Sequence, residues 1–462
     1  CAGSIVVLGR RVRIWGMNML ELKIGLICIG LEGERNDLAE KFRAEAVAEL
    51  AKRNVTVVNA RDGYTLTGCE VLGQTEKCVV ADAIVSLIGT WCLASHVVDA
   101  IRDLKVPFAI WGVPEPASFS SVGANVIHGA LGEMDIPHKL LYGLPGDARV
   151  YEELIAFVKA AALKTKLARV RIGLIGGRAI SAYPTSMDPN LIKKIFGAEV
   201  EHIDQLVLLE KARKVSAAQC EEKIAQMRGV YRSVEVPEEM LRRAVAVYFA
   251  LREIIEEQQL DMLSVKCIGE FMDNWACCCI GLSMLNDEGI VCNCQCNINA
   301  LISAYLLANL SGCPCFFGDV NTVHRDEGTI RLICCGGLPG KLAESFEEVK
   351  VVPQYEYMGA GRGACTFFCM KQGRVTVGTL GRDSHGYVMN IAGGTAYLQP
   401  DEELLKVRSW AQGFVRLDGD PMQFYQNLRC NHSVVGYGDY SDVLMEFCAL
   451  CGIRPELCEK EK

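Results

Sequence analysis

The sequence predicts an α/β fold: two consecutive Rossmann-like, doubly wound α/β domains followed by a C-terminal β-rich, barrel-like domain. Three observations carry this. Short runs that are apolar throughout alternate with amphipathic helical stretches, and that alternation restarts once, near residues 165–168. Strands alternating with helices at this spacing build a parallel sheet with helices on both faces, and strands buried on both faces are apolar throughout. From about residue 346 short β-like stretches separated by Gly-rich turns replace the alternation. The expected organisation is a poorly defined extension over 1–22, a first α/β domain over 23–166, a second over 167–345, and a β-rich domain over 346–462.

In the first domain KIGLICIG (23–30) is a strand ending at glycine, followed by an amphipathic helix through LAEKFRAEAVAELAKRN. VTVVNA (55–60) is the next strand, ARDGYT a break, and CVVADAIVSLIGT, VVDAIRDL and VPFAIWGVPEP continue the rhythm. A helix rich in Ala and Lys (151–167) leads to RVRIGLIGG (169–177), a strand closing in glycines. AISAYPTSMDPNLIKKIFG is a loop and then a helix, and AEVEHIDQ is a strand. A long helix runs from about Pro237 to Gln259, with proline where a first turn tolerates it. MLSVKCIGE (262–270) is a strand that ends on a carboxylate. In the β-rich region KQGRVTVGTL has the alternation of a hairpin arm, and a last helix spans about 440–450.

Composition excludes several classes of function. Half of the 462 residues are hydrophobic and 23% are charged, an ordinary globular balance. A net charge of −8 and a pI near 5.6, with no basic run, argue against a nucleic-acid partner. No apolar run reaches the roughly 18 residues of a membrane span. The N-terminus lacks the ordered regions of a signal peptide. The chain opens on Cys rather than Met, and the folded part is expected to start near Lys23. Of the 23 cysteines, eleven fall between Cys267 and Cys335. In a chain this long that pattern fits free thiols in a reducing cytoplasm better than a disulfide scaffold.

Four places draw attention as possible sites of chemistry. GLIGGRA resembles a phosphate loop but is not GxGxxG and is not followed at once by a helix, so a tight glycine turn is the reading adopted. Ligands of open α/β sheets bind outside the carboxyl ends of the strands, which draws attention to Glu270 at the end of KCIGE. A carboxylate there either ligates a metal and moves a proton or is a solvated loop residue. His432, in RCNHSVVGYGD beside an apolar run, is either a ligand or a structural histidine. The stretch VCNCQCNINA (291–300) lies between a turn and a helix and is expected to be extended. Alternation would then put Cys292, Cys294 and Cys296 on one face and Asn293, Gln295 and Asn297 on the other. Extended CxCxC spaces its thiols about 7 Å apart, too far to converge on one metal. The cysteines are therefore expected to pack as small apolar fillers, leaving the amide face for a cleft.

The segments VKCIGEF (265–271), LSMLNDEGIVCNCQCNINALISAYLLANLSGCPCFFGDVN (282–321), RLICCGGLP (331–339), QGRVTVGTLGR (372–382) and CNHSVVGYGD (430–439) resemble the L-fucose isomerase/L-arabinose isomerase superfamily, closer to the L-fucose isomerase branch. The resemblance spans the chain from about residue 23 onward. It implies the three-domain fold read above and an aldose–ketose isomerase of carbohydrate metabolism acting on a monosaccharide. It also implies a divalent metal, typically manganese, held by two carboxylates and a histidine. The metal would polarise the carbonyl while one carboxylate moves a proton between C1 and C2 through a cis-enediol. Carried over by position, the first carboxylate falls on Glu270 and the histidine on His432. The second does not carry over. Where the family pattern has Cys-Glu-x-Asp, this chain has Cys294, Gln295, Cys296 and Asn297. An amide is no base at neutral pH, and it offers a hard cation a neutral oxygen.

Two classes of function follow. The first is an isomerase with a remodelled metal sphere: Glu270 as ligand and base, His432 as ligand, Asn297 as neutral ligand or orienting donor. The second is a sugar-binding protein on the isomerase scaffold that has lost the chemistry. Asp319 in FFGDVN, read as the end of the next strand on the same side, is a possible substitute carboxylate, with Gln295 beside it. Asp273 and Asp439 are weaker candidates. Arg362 and Arg382 near β-region turns could bind an anionic group. The resemblance further implies a homo-oligomer, a trimer or hexamer, in which the first domain of one subunit closes the site of the next, and Trp91 and His128 could face such a site.

Overall fold

A computed structural model describes residues 6–7, 10–11, 20–59, 64–354 and 362–459. Most of the expected extension lies outside the described residues; within it β1 (Val6–Val7) and β2 (Arg10–Arg11) pair antiparallel. The chain forms two compact units. One comprises Leu20–Lys166 with Asp442–Gly452, the other Cys1–Met19, Leu167–Ser441 and Ile453–Lys462.

In the unit built on Leu20–Lys166, strands and helices alternate: β3 (Leu22–Ile29), α1 (Asn36–Lys52), β4 (Val55–Val58), α2 (Gly68–Lys77), β5 (Ala83–Ile88), α3 (Ala94–Ile101), β6 (Phe108–Gly112), α4 (Ser120–Glu133), β7 (Lys139–Tyr142) and α5 (Ala148–Leu167). The sheet is parallel in the order β4-β3-β5-β6-β7. The central strands are largely apolar and buried because both faces are covered. Ile24, Leu26, Leu87 and Trp111 pack with Phe42 of α1 and Phe157 of α5, while Ile27, Ile84 and Ile110 pack with Val97 of α3 and Ile127 of α4. Thr67 and Glu70 start α2 with a reciprocal capping box.

The other unit opens with a second alternation: β8 (Arg171–Ile175), α6 (Pro189–Phe196), β9 (Glu199–Ile203), α7 (Gln205–Lys214), α8 (Ala217–Val230), β10 (Ser233–Val234), α9 (Glu238–Gln258), β11 (Met262–Val265), α10 (Glu270–Asn274), α11 (Cys279–Asp287), β12 (Val291–Cys294) and α12 (Ile298–Ser311). Its sheet is parallel, in the order β12-β11-β8-β9. Asp188 caps α6, with proline at its first turn. Pro237 sits at the N-cap of α9.

The rest is β-rich: β13 (Phe316–His324), β14 (Thr329–Ile333), β15 (Lys350–Pro353), β16 (Ala364–Phe367), β17 (Gly373–Asp383), β18 (Gly386–Ala396), α13 (Asp401–Leu405), β19 (Gln412–Leu417), α14 (Pro421–Gln426), β20 (His432–Tyr437), α15 (Ser441–Cys451) and β21 (Arg454–Cys458). The order β17-β20-β13-β14-β19-β18 closes on itself through the β17–β18 hairpin, and β21 adds to β18 on the outside. Closure removes the free sheet edges, so this part is barrel-like. β10, β15 and β16 form a small separate sheet. The YEYMG end of the expected strand around β15 lies outside the described residues. Among the described residues no helix is long and apolar enough to cross a membrane.

One strand sits elsewhere than expected. FFGDVN does not extend the second parallel sheet. It belongs to β13, which pairs antiparallel with β14 and β20 inside the barrel. The β-rich layer therefore begins before residue 346, and Asp319 lies within a strand rather than at its end.

Candidate functional site

The site assembles where the second parallel sheet meets the barrel. β11 and β12 run in parallel with Val265 opposite Cys294, and both chains leave at the carboxyl edge. The alternation expected for VCNCQCNINA holds only through Cys294. Gln295 and Cys296 then turn with φ of +66° and +53°, a left-handed conformation that costs a residue with a Cβ of order 1–3 kcal/mol. Neighbours hold the turn. The buried Asn293 donates from Nδ2 to the carbonyl of Asn297 at 2.9 Å and accepts the Ser264 hydroxyl. The Cys296 thiol donates to the carbonyl of Ile175 at 3.3 Å. The turn delivers Asn297 as the N-cap of α12, its Oδ1 accepting the backbone N–H of Ala300 at 3.1 Å.

The barrel supplies the other half. Asp319 of β13 and His432 of β20 are direct cross-strand partners, so their side chains share a face. His432 is 2% exposed. Its ring packs on Phe317, with centroids 4.1 Å apart and planes 32° apart. Nδ1 lies 2.9 Å from Nδ2 of Asn297 and 3.0 Å from Nδ2 of Asn431. Nε2 lies 3.8 Å from the half-exposed carboxylate of Asp319. Burial holds the imidazole down to about 3, so it is neutral. The network extends outward: Asn297 Nδ2 is 3.2 Å from Oδ1 of Asn431, and Asn431 Nδ2 donates to Oε1 of Gln295 at 3.2 Å.

Of the expected site residues, Asn297, His432, Asp319 and Gln295 therefore meet in one connected cluster. Glu270 opens α10 at the same carboxyl edge, one strand over. Its side chain is 68% exposed and paired with Lys266 at 2.8 Å, and that ammonium holds its carboxyl below the usual range. Arg362 is ion-paired with Asp273, and Asp439 with Arg374 at 2.7 Å. Trp91 and His128 belong to the other compact unit, where His128 Nδ1 is 2.7 Å from Nε2 of His138.

Several contributors were not singled out from the sequence. Asn431 sits beside His432 in the quoted motif, but only the histidine drew attention. Phe317 reads as ordinary apolar strand. Ser264, which helps hold the turn, carries no local signal, and Asn293, expected on a cleft-lining amide face, is instead buried and holds the turn from inside.

A divalent ion needs several oxygen or imidazole donors converging with open lone pairs. Among the described residues no group of three His, Cys, Asp or Glu side chains is placed to hold a metal ion. Asn297 presents its NH2 toward the imidazole while its oxygen caps α12, and Glu270 is engaged by Lys266. As arranged, these side chains do not fit the expected metal. The cysteines behave as packing: burial pushes the Cys296 thiol up to about 12 and also pushes the Cys292 thiol up. Every cysteine among the described residues is a free thiol.

No family model matches the chain. It is similar to curated proteins named sulfoquinovose isomerase. The one from Alkalicoccus urumqiensis is 24% identical over 323 residues, covering 68% of this chain and 72% of that protein. The one from Clostridium sp. (strain MSTE9) is 23% identical over 396 residues, covering 80% and 85%. The one from Priestia aryabhattai is 22% identical over 379 residues, covering 78% and 82%. The similarity is thus to sugar isomerases, and it does not single out the L-fucose isomerase branch.

Proposed function

We propose that the protein is an aldose–ketose isomerase of carbohydrate metabolism, interconverting an aldose and its ketose by moving a proton between C1 and C2 through an enediol. The observation that carries this most is the similarity to sulfoquinovose isomerases over most of the chain. The cluster of Gln295, Asn297, Asp319 and His432 at the carboxyl edge of a parallel sheet supports it, because ligands of such sheets bind there. Sulfoquinovose is the first substrate to test. Glu270 and Asp319 are the carboxylates we assign as candidate proton carriers. Since the donor set does not fit the metal expected from the family resemblance, no step is assigned to a metal. A homo-oligomer, trimer or hexamer, working in a reducing cytoplasm completes the reading; its free thiols suit that setting.

One observation favours a second reading. Gln295 and Asn297 stand where the family resemblance implies carboxylates, and a site without them could hold a sugar and leave it unchanged. The deciding experiment incubates the full chain in D2O with sulfoquinovose and a panel of neutral aldoses. It follows deuterium at C2 by NMR and sugar binding by calorimetry. Exchange on any aldose supports the isomerase. Binding without exchange on the whole panel refutes it in favour of the sugar-binding protein.

A further inference from the structure

A neutral imidazole carries one N–H, and its partners decide which nitrogen holds it. At His432 the orientation of those partners is fixed from outside. The Oδ1 of Asn297 is committed to the N–H of Ala300 as a helix cap, so its NH2 must face the ring, at 2.9 Å from Nδ1. The same NH2 donates to Oδ1 of Asn431. That turns the NH2 of Asn431 toward Nδ1 at 3.0 Å and toward Oε1 of Gln295. Two donors thus address Nδ1, which must be the acceptor. The proton sits on Nε2, the nitrogen directed at Asp319. Packing against Phe317 resists reorientation of the ring.

We infer that Asn297, together with Asn431, fixes His432 as the Nε2–H tautomer, and so makes it a hydrogen-bond donor to a sugar oxygen beside the Asp319 carboxylate rather than a metal ligand. Asn297 is then a positioning residue. A carboxylate at 297 would still cap α12, but it would face Nδ1 as an acceptor, draw the proton there and leave the Nε2 lone pair open to a cation. The amide reverses one hydrogen bond and with it the chemical character of the histidine. The donor role rests on the isomerase reading; the tautomer does not.

The test uses full-length protein labelled with 15N in the histidine rings, and long-range 1H–15N correlation spectra with and without Mn2+. The His432 signals are assigned by their loss in His432→Asn. The expected result is a protonated Nε2, an acceptor Nδ1, and no change on adding Mn2+. In Asn297→Asp the proton should move to Nδ1, Mn2+ should broaden the His432 signals, and metal-free exchange at C2 should fall about 100-fold, as when an oriented donor is lost. A wild-type ring protonated at Nδ1, or wild-type His432 signals broadened by saturable Mn2+ binding, would overturn the inference. Because the wild-type spectrum decides the tautomer, misfolding of the variant leaves the test intact. Absent exchange with Nε2 protonated would refute the isomerase reading and the donor role while leaving the tautomer in place.

Discussion

Lowering the pH should weaken the barrel around His432, and the size of the effect follows from its burial. In the unfolded chain a histidine titrates near 6.5, and in the fold this one is held down to about 3 by burial. Between those values the unfolded chain takes up a proton that the folded chain refuses. The group's contribution to stability is therefore intact above about pH 6.5 and is lost progressively as the pH falls toward 3. At about 1.4 kcal/mol per unit, a sample at pH 5 sits roughly 1.5 units into the window, a loss of about 2 kcal/mol.

The assay compares wild type with His432→Asn, which keeps an acceptor near the Nδ1 position. Hydrogen exchange of the β13 and β20 amides is measured at pH 7.5 and pH 5 and corrected for intrinsic rates. Local opening is the appropriate quantity because two compact units need not unfold as one. The variant will be less stable at both pH values, having lost ring contacts with Phe317. The informative quantity is the change between them. Wild type should lose about 30-fold more protection than the variant. Asp287, pushed up to about 6 by burial, works in the opposite sense as pH falls, but it is present in both proteins and cancels. Equal losses in the two proteins would refute a buried, neutral His432.

Three further outcomes are expected. Gly318→Ala should lower the melting temperature, with a cost of about 1–3 kcal/mol, because the new Cβ would lie 2.4 Å from the carbonyl oxygen of Ile333 in the neighbouring strand; an unchanged melt would count against the β13–β14 register. Phe317→Ala should cost about 3–5 kcal/mol by urea denaturation, as a buried aromatic in a packed site does, and a loss under 1 kcal/mol would mean the ring is not packed there. Mild oxidation with a diazene oxidant should join Cys294 to Cys335, whose sulfurs are 3.7 Å apart, two thiols giving one disulfide as the oxidant takes two electrons and two protons. Peptide mapping reads the link, and loss of activity should accompany it because Cys294 directly precedes the site turn; oxidation elsewhere first would disprove the pairing.

The parallel layers were legible because their signal is local. Past their first basic residues, KIGLICIG and RVRIGLIGG run apolar or Gly to the end, as a strand covered on both faces demands, and they are β3 and β8. FFGDVN reads as part of the parallel sheet but lies in the barrel, because a short apolar strand carries the same residues whether its neighbours are parallel or antiparallel. What places Asp319 opposite His432 is the antiparallel pairing of β13 with β20, more than a hundred residues away in sequence, and such a pairing has no signature in six residues. The turn at Gln295 and Cys296 was missed for a related reason. Left-handed backbone is ordinarily announced by glycine, asparagine or aspartate, and here Asn293 of the same strand, with Ser264 and Ile175 on neighbouring strands, holds two residues that announce nothing.

The amides at 295 and 297 show how far shape and chemistry can separate. As an N-cap, asparagine serves about as well as aspartate, so α12 and everything packed on it should be indifferent to which one stands at 297. The barrel strand carrying His432 is equally indifferent, since the side chain that meets the ring has the same outline in both cases. What changes is the direction in which one hydrogen bond points. With an acid at 297 the helix cap and the imidazole would both donate to the same carboxylate. With an amide, the oxygen serves the cap and the NH2 serves the ring, and Asn431 adds a second donor to the same nitrogen. A site can therefore keep its fold, its histidine and its neighbouring carboxylate while exchanging a metal ligand for a hydrogen-bond donor, and that exchange becomes visible only when the donors around one imidazole are counted.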